Sequence, residues 1–257
     1  MDLNNLVFYI GADTPALGYA RSFLEAQGCT VASLPSSAVT HLILNVPTFA
    51  ADGRLIGGND LLDLLDKLPQ DVTVIGGNLA NPILQDYSTQ DLLRNESYLA
   101  ENAAITAECA LQVAFDHSNA VLRNTPVLIA GWGRIAKCLA KLLSGLGAEV
   151  TITARKEADT SIAGALGYHA VPLERIIPRL ADYRIIFNTV PAMVLPEQQA
   201  KLCRADCLKI DLASVPGIAG TDVITARGLP GKLAPETAGH LIAKTILGLT
   251  AHKEVSS

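Results

Sequence analysis

The sequence is short of aromatic residues and of charge: Phe, Trp and Tyr make up 5% of its 257 residues, and Asp, Glu, Lys and Arg 18%. With 49% hydrophobic residues, there is ample material for the core of one large or two modest domains. Long apolar runs are missing too. Leu42-Ile43-Leu44 and Val127-Leu128-Ile129-Ala130 are strand-length pieces broken by Gly, Pro or polar residues, which excludes a membrane-spanning helix. Residues 1–10 carry neither the basic start nor the small-residue cleavage site of a secretory signal, so a cytoplasmic location is expected. Basic residues are scattered and the net charge is −5, which offers no electrostatic footprint for nucleic acid. The five cysteines are odd in number and form no Cys-x-x-Cys pair. Cys203 and Cys207, with no clustered histidines, read as buried small hydrophobes rather than as metal ligands or a disulfide.

What is present is an alternation of strand-like and helix-like runs, the pattern of parallel sheets covered by helices. Strands are expected at 7–10, 30–34, 39–46 and 72–75, with helices from Pro15 to Gln27, stopping at Gly28, and over 61–68. Between Pro82 and Glu96 the periodicity is lost. Residues 98–117, rich in Ala, Glu and Leu and without Gly or Pro, then predict a long connecting helix. A second α/β unit begins at Val127. Near the end, Leu241, Ile242, Thr245, Ile246 and Leu249 form a helical stripe that has to bury against something, and the first domain is the expected partner. The fold class is therefore α/β, two doubly wound parallel-sheet, Rossmann-like domains. The expected boundaries are 1–96 for the first domain, 97–118 for the connecting helix, 119–235 for the nucleotide-binding domain and 236–252 for a terminal helix that packs back onto the first.

The motif with most chemistry is Gly131-Trp132-Gly133-Arg134-Ile135-Ala136, set between the strand 127–130 and a helix over 137–146. Gly131 permits the tight turn, Gly133 lets backbone approach a pyrophosphate, and Ala136 lets helix and strand pack closely. The orphan N–H groups and positive dipole end of the helix then face the anion. A second strand, 149–154, ends in Thr153-Ala154-Arg155-Lys156. An acidic residue there would hold the free ribose 2′-hydroxyl of NAD. Two cations suit a 2′-phosphate instead, with the planar guanidinium of Arg155 able to fork onto it. NADP(H) is the expected cofactor, and Glu157 leaves some use of NAD open.

Two further strands empty at the same expected edge. One ends in Asn188-Thr189-Val190-Pro191-Ala192, where Asn188 and Thr189 are candidates to bond the ribose or carboxamide. The other ends in Asp211-Leu212-Ala213-Ser214-Val215-Pro216-Gly217, a small-residue loop open to nicotinamide or substrate. Ordinary strand-to-loop turns are the alternative for any one of these residues.

Taken together, Tyr98-x3-Asn102-x3-Thr106-Ala107-Glu108, the glycine turn, the Asn188 and Asp211 loops, and Leu229-Pro230-Gly231-Lys232-x-Ala234-Pro235-x-Thr237-Ala238-Gly239 resemble the A subunit of dipicolinate synthase. The resemblance runs over nearly the whole chain. It implies an NAD(P)-dependent oxidoreductase that takes dihydrodipicolinate or its hydrated precursor, intermediates of the lysine pathway, to pyridine-2,6-dicarboxylate for bacterial spores. It also implies a partner, the flavoprotein-like B subunit of that synthase, and association of identical chains is expected. Aromatising a dihydropyridine needs a hydride acceptor and a base; Glu108, Glu236 and His240 are the nominees, the last two one turn apart on a helix. The dicarboxylate calls for cations or N–H donors, which the helix start near Thr237 and the loop from Ser214 to Gly217 could supply; Asn102, Thr106, Ser214, Pro216, Gly217 and Thr237 are the residues expected to bind substrate. In the first domain, Gly11-Ala12-Asp13 departs from the Gly-Gly-Asp and early basic residue of that family. The architecture also resembles the D-2-hydroxyacid dehydrogenases, whose Pro-His pair is replaced here by Pro235-Glu236.

Overall fold

The computed structural model describes residues 6–58 and 60–253. They form two compact units, one of the described residues up to 102 together with 230–253 and the other of residues 103–229. Each is an α/β unit built on a wholly parallel sheet.

In the first unit the order begins β1 (Val7–Ile10), α1 (Pro15–Ala26), β2 (Thr30–Ala32), β3 (His41–Ile43), α2 (Leu61–Leu65), β4 (Thr73–Gly76) and β5 (Ser88–Asp91). The sheet runs β2-β1-β3-β4-β5. Helix α1 starts where the sequence allows it: Thr14 caps the first turn through Leu17 N–H, Pro15 supplies a preset φ, and Gly28 at φ +80° ends the helix region. Val39, Leu42, Leu44, Leu61, Leu65, Val72, Val74, Leu79 and Leu84 make the core under this sheet.

The stretch read from sequence as aperiodic contains a short 3₁₀ turn at Pro82–Leu84, the strand β5 and a second 3₁₀ turn at Leu92–Arg94. Strand β5 reads Ser-Thr-Gln-Asp and lies at the sheet edge, so it has no apolar alternation to betray it. Its last residue fixes the turn beyond β4, as the Asp91 carboxylate accepts from the N–H groups of Asn78, Leu79 and Leu93 at 3.1, 3.1 and 2.9 Å.

Helix α3 (Glu96–Asp116) passes from the first unit to the second at residue 103. The second unit continues through β6 (Pro126–Ala130), α4 (Arg134–Gly145), β7 (Glu149–Thr153), α5 (Glu157–Ala165), β8 (His169–Val171), α6 (Leu173–Ile176), β9 (Ile185–Asn188), α7 (Glu197–Ala200), β10 (Leu208–Asp211) and β11 (Val223–Thr225). Its sheet order is β11-β10-β9-β6-β7-β8. The chain moves outward from β6 in one direction, then returns to lay β9 on the other side of β6. The topological switch point of the fold therefore lies between β6 and β9, where open α/β sheets take their ligands.

After α8 (Leu229–Leu233), α9 (Pro235–Lys253) packs along α1 within the first unit. Gly239 allows the approach: a Cβ there would collide with the Ala16 carbonyl oxygen and stand 2.8 Å from Tyr19 Cβ and 2.9 Å from Ala20 N. No helix among the described residues is long and apolar enough to cross a membrane.

Candidate functional site

Parallel register brings the strand ends of the second unit into line. Thr225 pairs with Asp211, Asp211 with Asn188, Asn188 with Ala130, Ala130 with Thr153 and Thr153 with Val171. Segments far apart in sequence thus open onto one carboxyl edge, among them the glycine turn, the basic tip and both small-residue loops.

At its centre Gly131 has φ +106°, a conformation that L side chains rarely adopt. Its N–H donates to the Thr153 carbonyl at 2.8 Å. A Cβ on Gly131 would collide with Thr189 Oγ1 and lie 3.1 Å from Val190 Cγ2. Thr189 cannot easily yield, because its hydroxyl and its N–H both donate to the Ala130 carbonyl, at 2.8 and 2.9 Å. Gly133 differs. It is the N-cap of α4 in ordinary extended backbone, a Cβ there would meet nothing within 4 Å, and no side chain caps the helix. The turn therefore fits a diphosphate, with open space above a helix start whose first N–H groups have no intrahelical acceptor.

Trp132 is 6% exposed and lies edge-on to Tyr168 with ring centroids 5.5 Å apart, while Lys137 Nζ sits 5.8 Å from its ring centre. Trp132 Nε1 and Thr153 Oγ1 are buried without a hydrogen-bond partner, both beside the glycine turn. Arg134 and Gly133 are exposed and Ile135 is half-buried. Arg155 and Lys156 are exposed just past β7, Lys156 standing at the N-cap of α5.

Several predicted ligand residues are hydrogen-bonded within the strand ends and their loops. Asn188, fully buried, donates its amide hydrogens to the Asp211 carboxylate at 2.8 Å and the Val190 carbonyl at 3.0 Å, and its Oδ1 accepts from Val190 N–H at 3.0 Å. Asp211, 2% exposed, also accepts from Ala213 N–H at 3.2 Å and Gly217 N–H at 2.7 Å. The Ala213 carbonyl accepts from Arg227 Nε at 2.8 Å. The Gly217 carbonyl accepts from the N–H groups of Val194 and Leu195 at 2.7 and 3.0 Å. Through Asn188 and Asp211 these bonds tie the two loops together at the edge. Pro191, Ser214 and Pro216 are exposed and Val190 is half-buried.

Of the substrate and base candidates, Thr106 and Glu108 lie on the part of α3 that belongs to the second unit, Thr106 buried and Glu108 exposed. Asn102, Glu236, Thr237 and His240 belong to the first unit. Glu236 and Thr237 are exposed there. The His240 ring packs against Phe23 and Tyr19 of α1, with centroid distances of 5.0 and 6.4 Å, one turn along α9 from the exposed Glu236. Sequence reasoning also missed the Asn188–Asp211 tie. Its signal was a polar residue at the end of each of two apolar strands, which is as compatible with a ligand as with a neighbouring strand.

No family model matches the chain. The chain is similar to the dipicolinate synthase A subunit of Bacillus subtilis (strain 168), 26% identical over 251 residues, covering 89% of this chain and 84% of that protein. It is also similar to shikimate dehydrogenase (NADP(+)) of Acidiphilium cryptum (strain JF-5), 30% identical over 132 residues, 51% of this chain and 45% of the relative. Among solved structures, the A chain of dipicolinate synthase from Bacillus subtilis superposes with a TM-score of 0.80 at 24% identity, covering 98% of each chain. That likeness is one of fold.

Proposed function

We propose that this chain is an NADP(H)-dependent oxidoreductase of a small cyclic dicarboxylate, acting as the A subunit of a dipicolinate synthase. Its substrate would be dihydrodipicolinate or the hydrated precursor, its product pyridine-2,6-dicarboxylate for sporulation, and its partner the flavoprotein-like B subunit. The observation that carries the reading is the pair of unlike glycines at the switch point. Gly131 is locked by Thr189, whereas Gly133 is exposed beneath open space at an uncapped helix start. A backbone that keeps space free where helix amides converge is built for a diphosphate. Similarity to the two named dehydrogenase and synthase relatives supports the redox class.

In this reading Gly133, Arg134 and Ile135 hold the diphosphate and Arg155 with Lys156 receives the 2′-phosphate. Thr153 Oγ1 and Trp132 Nε1 are unsatisfied polar atoms flanking the turn. The bound nicotinamide supplies a hydride acceptor. The Asn188–Asp211 tie holds the 188–192 and 211–217 loops at fixed separation and keeps Ser214 and Pro216 at the surface of the edge. A second reading, a cofactor-binding protein whose acid–base group comes from a partner, is favoured by the placement of His240 against Phe23 and Tyr19.

Trp132 is the sole tryptophan, so its fluorescence is the direct test. Titration with NADPH is expected to quench it saturably, and no response to any pyridine nucleotide, confirmed by calorimetry, would remove the whole reading. Turnover of freshly prepared lysine-pathway intermediate, followed as NADPH absorbance with and without the flavoprotein-like partner, separates the two versions. Product from the chain alone supports the enzyme, and binding without turnover until the partner is added supports the cofactor-binding protein.

A further inference from the structure

The cysteines at 203 and 207, expected to be inert fillers of the core, stand together. Between α7 and β10 the chain folds into a tight turn, with Cys203 N–H bonded to the Ala200 carbonyl at 3.2 Å and Cys207 N–H to the Arg204 carbonyl at 3.1 Å. Inside the turn, the Arg204 guanidinium is bonded to the Asp206 carboxylate, Nη2 to Oδ2 at 3.0 Å. Cys203 is half-buried, Cys207 is buried, and both pack in one core cluster. Two residues on, Lys209 is 4% exposed, its ammonium paired with Asp222 at 2.5 Å. The Cys207 thiol, and after it the Lys209 ammonium, stabilises a thiolate on Cys203 and brings its pKa down to about 7. The hydrogen bond to Cys203, and after it burial, pushes the Cys207 thiol up. Such an asymmetric pair is what thiol–disulfide exchange uses, an accessible thiolate to attack and a second thiol held back to resolve. Cys29 and Cys109, by contrast, are buried, and burial raises both thiols.

We propose that Cys203 and Cys207 form a redox-active dithiol at the start of β10, oxidised reversibly by low-molecular-weight disulfides. The Cys203 thiolate attacks one sulfur of the small disulfide, forming a mixed disulfide and expelling one small thiolate, which takes up a proton. Cys207 then loses its proton and attacks the Cys203 sulfur, closing the Cys203–Cys207 bond and expelling the second small thiol. The protein dithiol is oxidised by two electrons and the small disulfide is reduced by two, so the exchange balances. The site is independent of the cofactor reading.

The test is glutathione disulfide treatment of the full-length chain, followed by acid quenching, alkylation and peptide mass mapping. The expected product is a peptide spanning 203–207 lighter by two hydrogens and unavailable to alkylation, restored by dithiothreitol. C207S should stop at a stable glutathione adduct on Cys203, and C203S should abolish reaction at both positions. In untreated protein, alkylation of Cys203 should rise with pH to half its maximum near the lowered pKa of about 7. Circular dichroism establishes that the variants are folded, and should either fail to fold, the wild-type map and the alkylation profile still decide. Modification of Cys29, Cys109 or Cys138 at the same rate, or no 203–207 disulfide under conditions that oxidise a free model dithiol, would overturn the proposal.

Discussion

Replacing each glycine of the turn by alanine separates what the protein needs from what the cofactor needs. At Gly131 the new methyl meets Thr189 Oγ1 and Val190 Cγ2 at a backbone φ of +106°. Holding a non-glycine residue there costs about 1–3 kcal/mol. Dislodging Thr189 from the Ala130 carbonyl adds ~1 kcal/mol, so Gly131→Ala should lose about 2–4 kcal/mol of stability. At Gly133 the backbone is ordinary and nothing lies within 4 Å. The loss there is confined to alanine's being a poorer N-cap, about 1 kcal/mol or less. The methyl does, however, occupy space over the helix start, so NADP(H) binding should weaken by about tenfold or more, ~1.4 kcal/mol. Urea denaturation gives the stability and Trp132 fluorescence the affinity. Gly133→Ala with wild-type affinity would refute the placement of the diphosphate, and Gly131→Ala with wild-type stability would refute the strain argument.

Arg155→Ala should weaken NADP(H) binding by about 1.5–3 kcal/mol, the scale of a charge-assisted hydrogen bond, and leave NAD(H) binding nearly unchanged; equal losses in parallel titrations would count against a 2′-phosphate contact. Asp211→Ala strips the acceptor from Asn188 Nδ2 and from the N–H groups of Ala213 and Gly217. It should cost about 2–4 kcal/mol by leaving buried donors unsatisfied, seen as a lower urea midpoint and as faster hydrogen exchange across 212–217. Gly239→Val should lower thermal stability through overpacking of α9 on α1, by about 1–3 kcal/mol, whereas Gly248→Ala, with nothing within 4 Å, should raise it slightly by improving helix propensity. Calorimetric melting of the pair decides.

Much of this molecule was legible residue by residue. Thr14-Pro15 opens α1 and the Gly28 region closes it because capping and φ preference act within a few positions. The apolar run of β6 followed by Gly131 and Gly133 announces strand, turn and helix for the same reason. Other parts were hidden. Strand β5 is polar and exists through its pairing with β4. Cys203 and Cys207 become partners only when the turn through Arg204 and Asp206 is made. The contact of the His240 ring with Phe23 and Tyr19 exists only once α9 lies along α1.

The sequence alone determined the α/β class and the position of the glycine turn after β6, since both rest on periodicity and backbone freedom over short stretches of chain. Tertiary structure decided how the polar residues at the strand ends are spent. Asn188 and Asp211 lie 23 positions apart, and parallel register of β9 with β10 sets them side by side, where a carboxylate buried at 2% exposure has to satisfy the donors around it. That pairing is a property of the sheet, and no local pattern in either segment contains it.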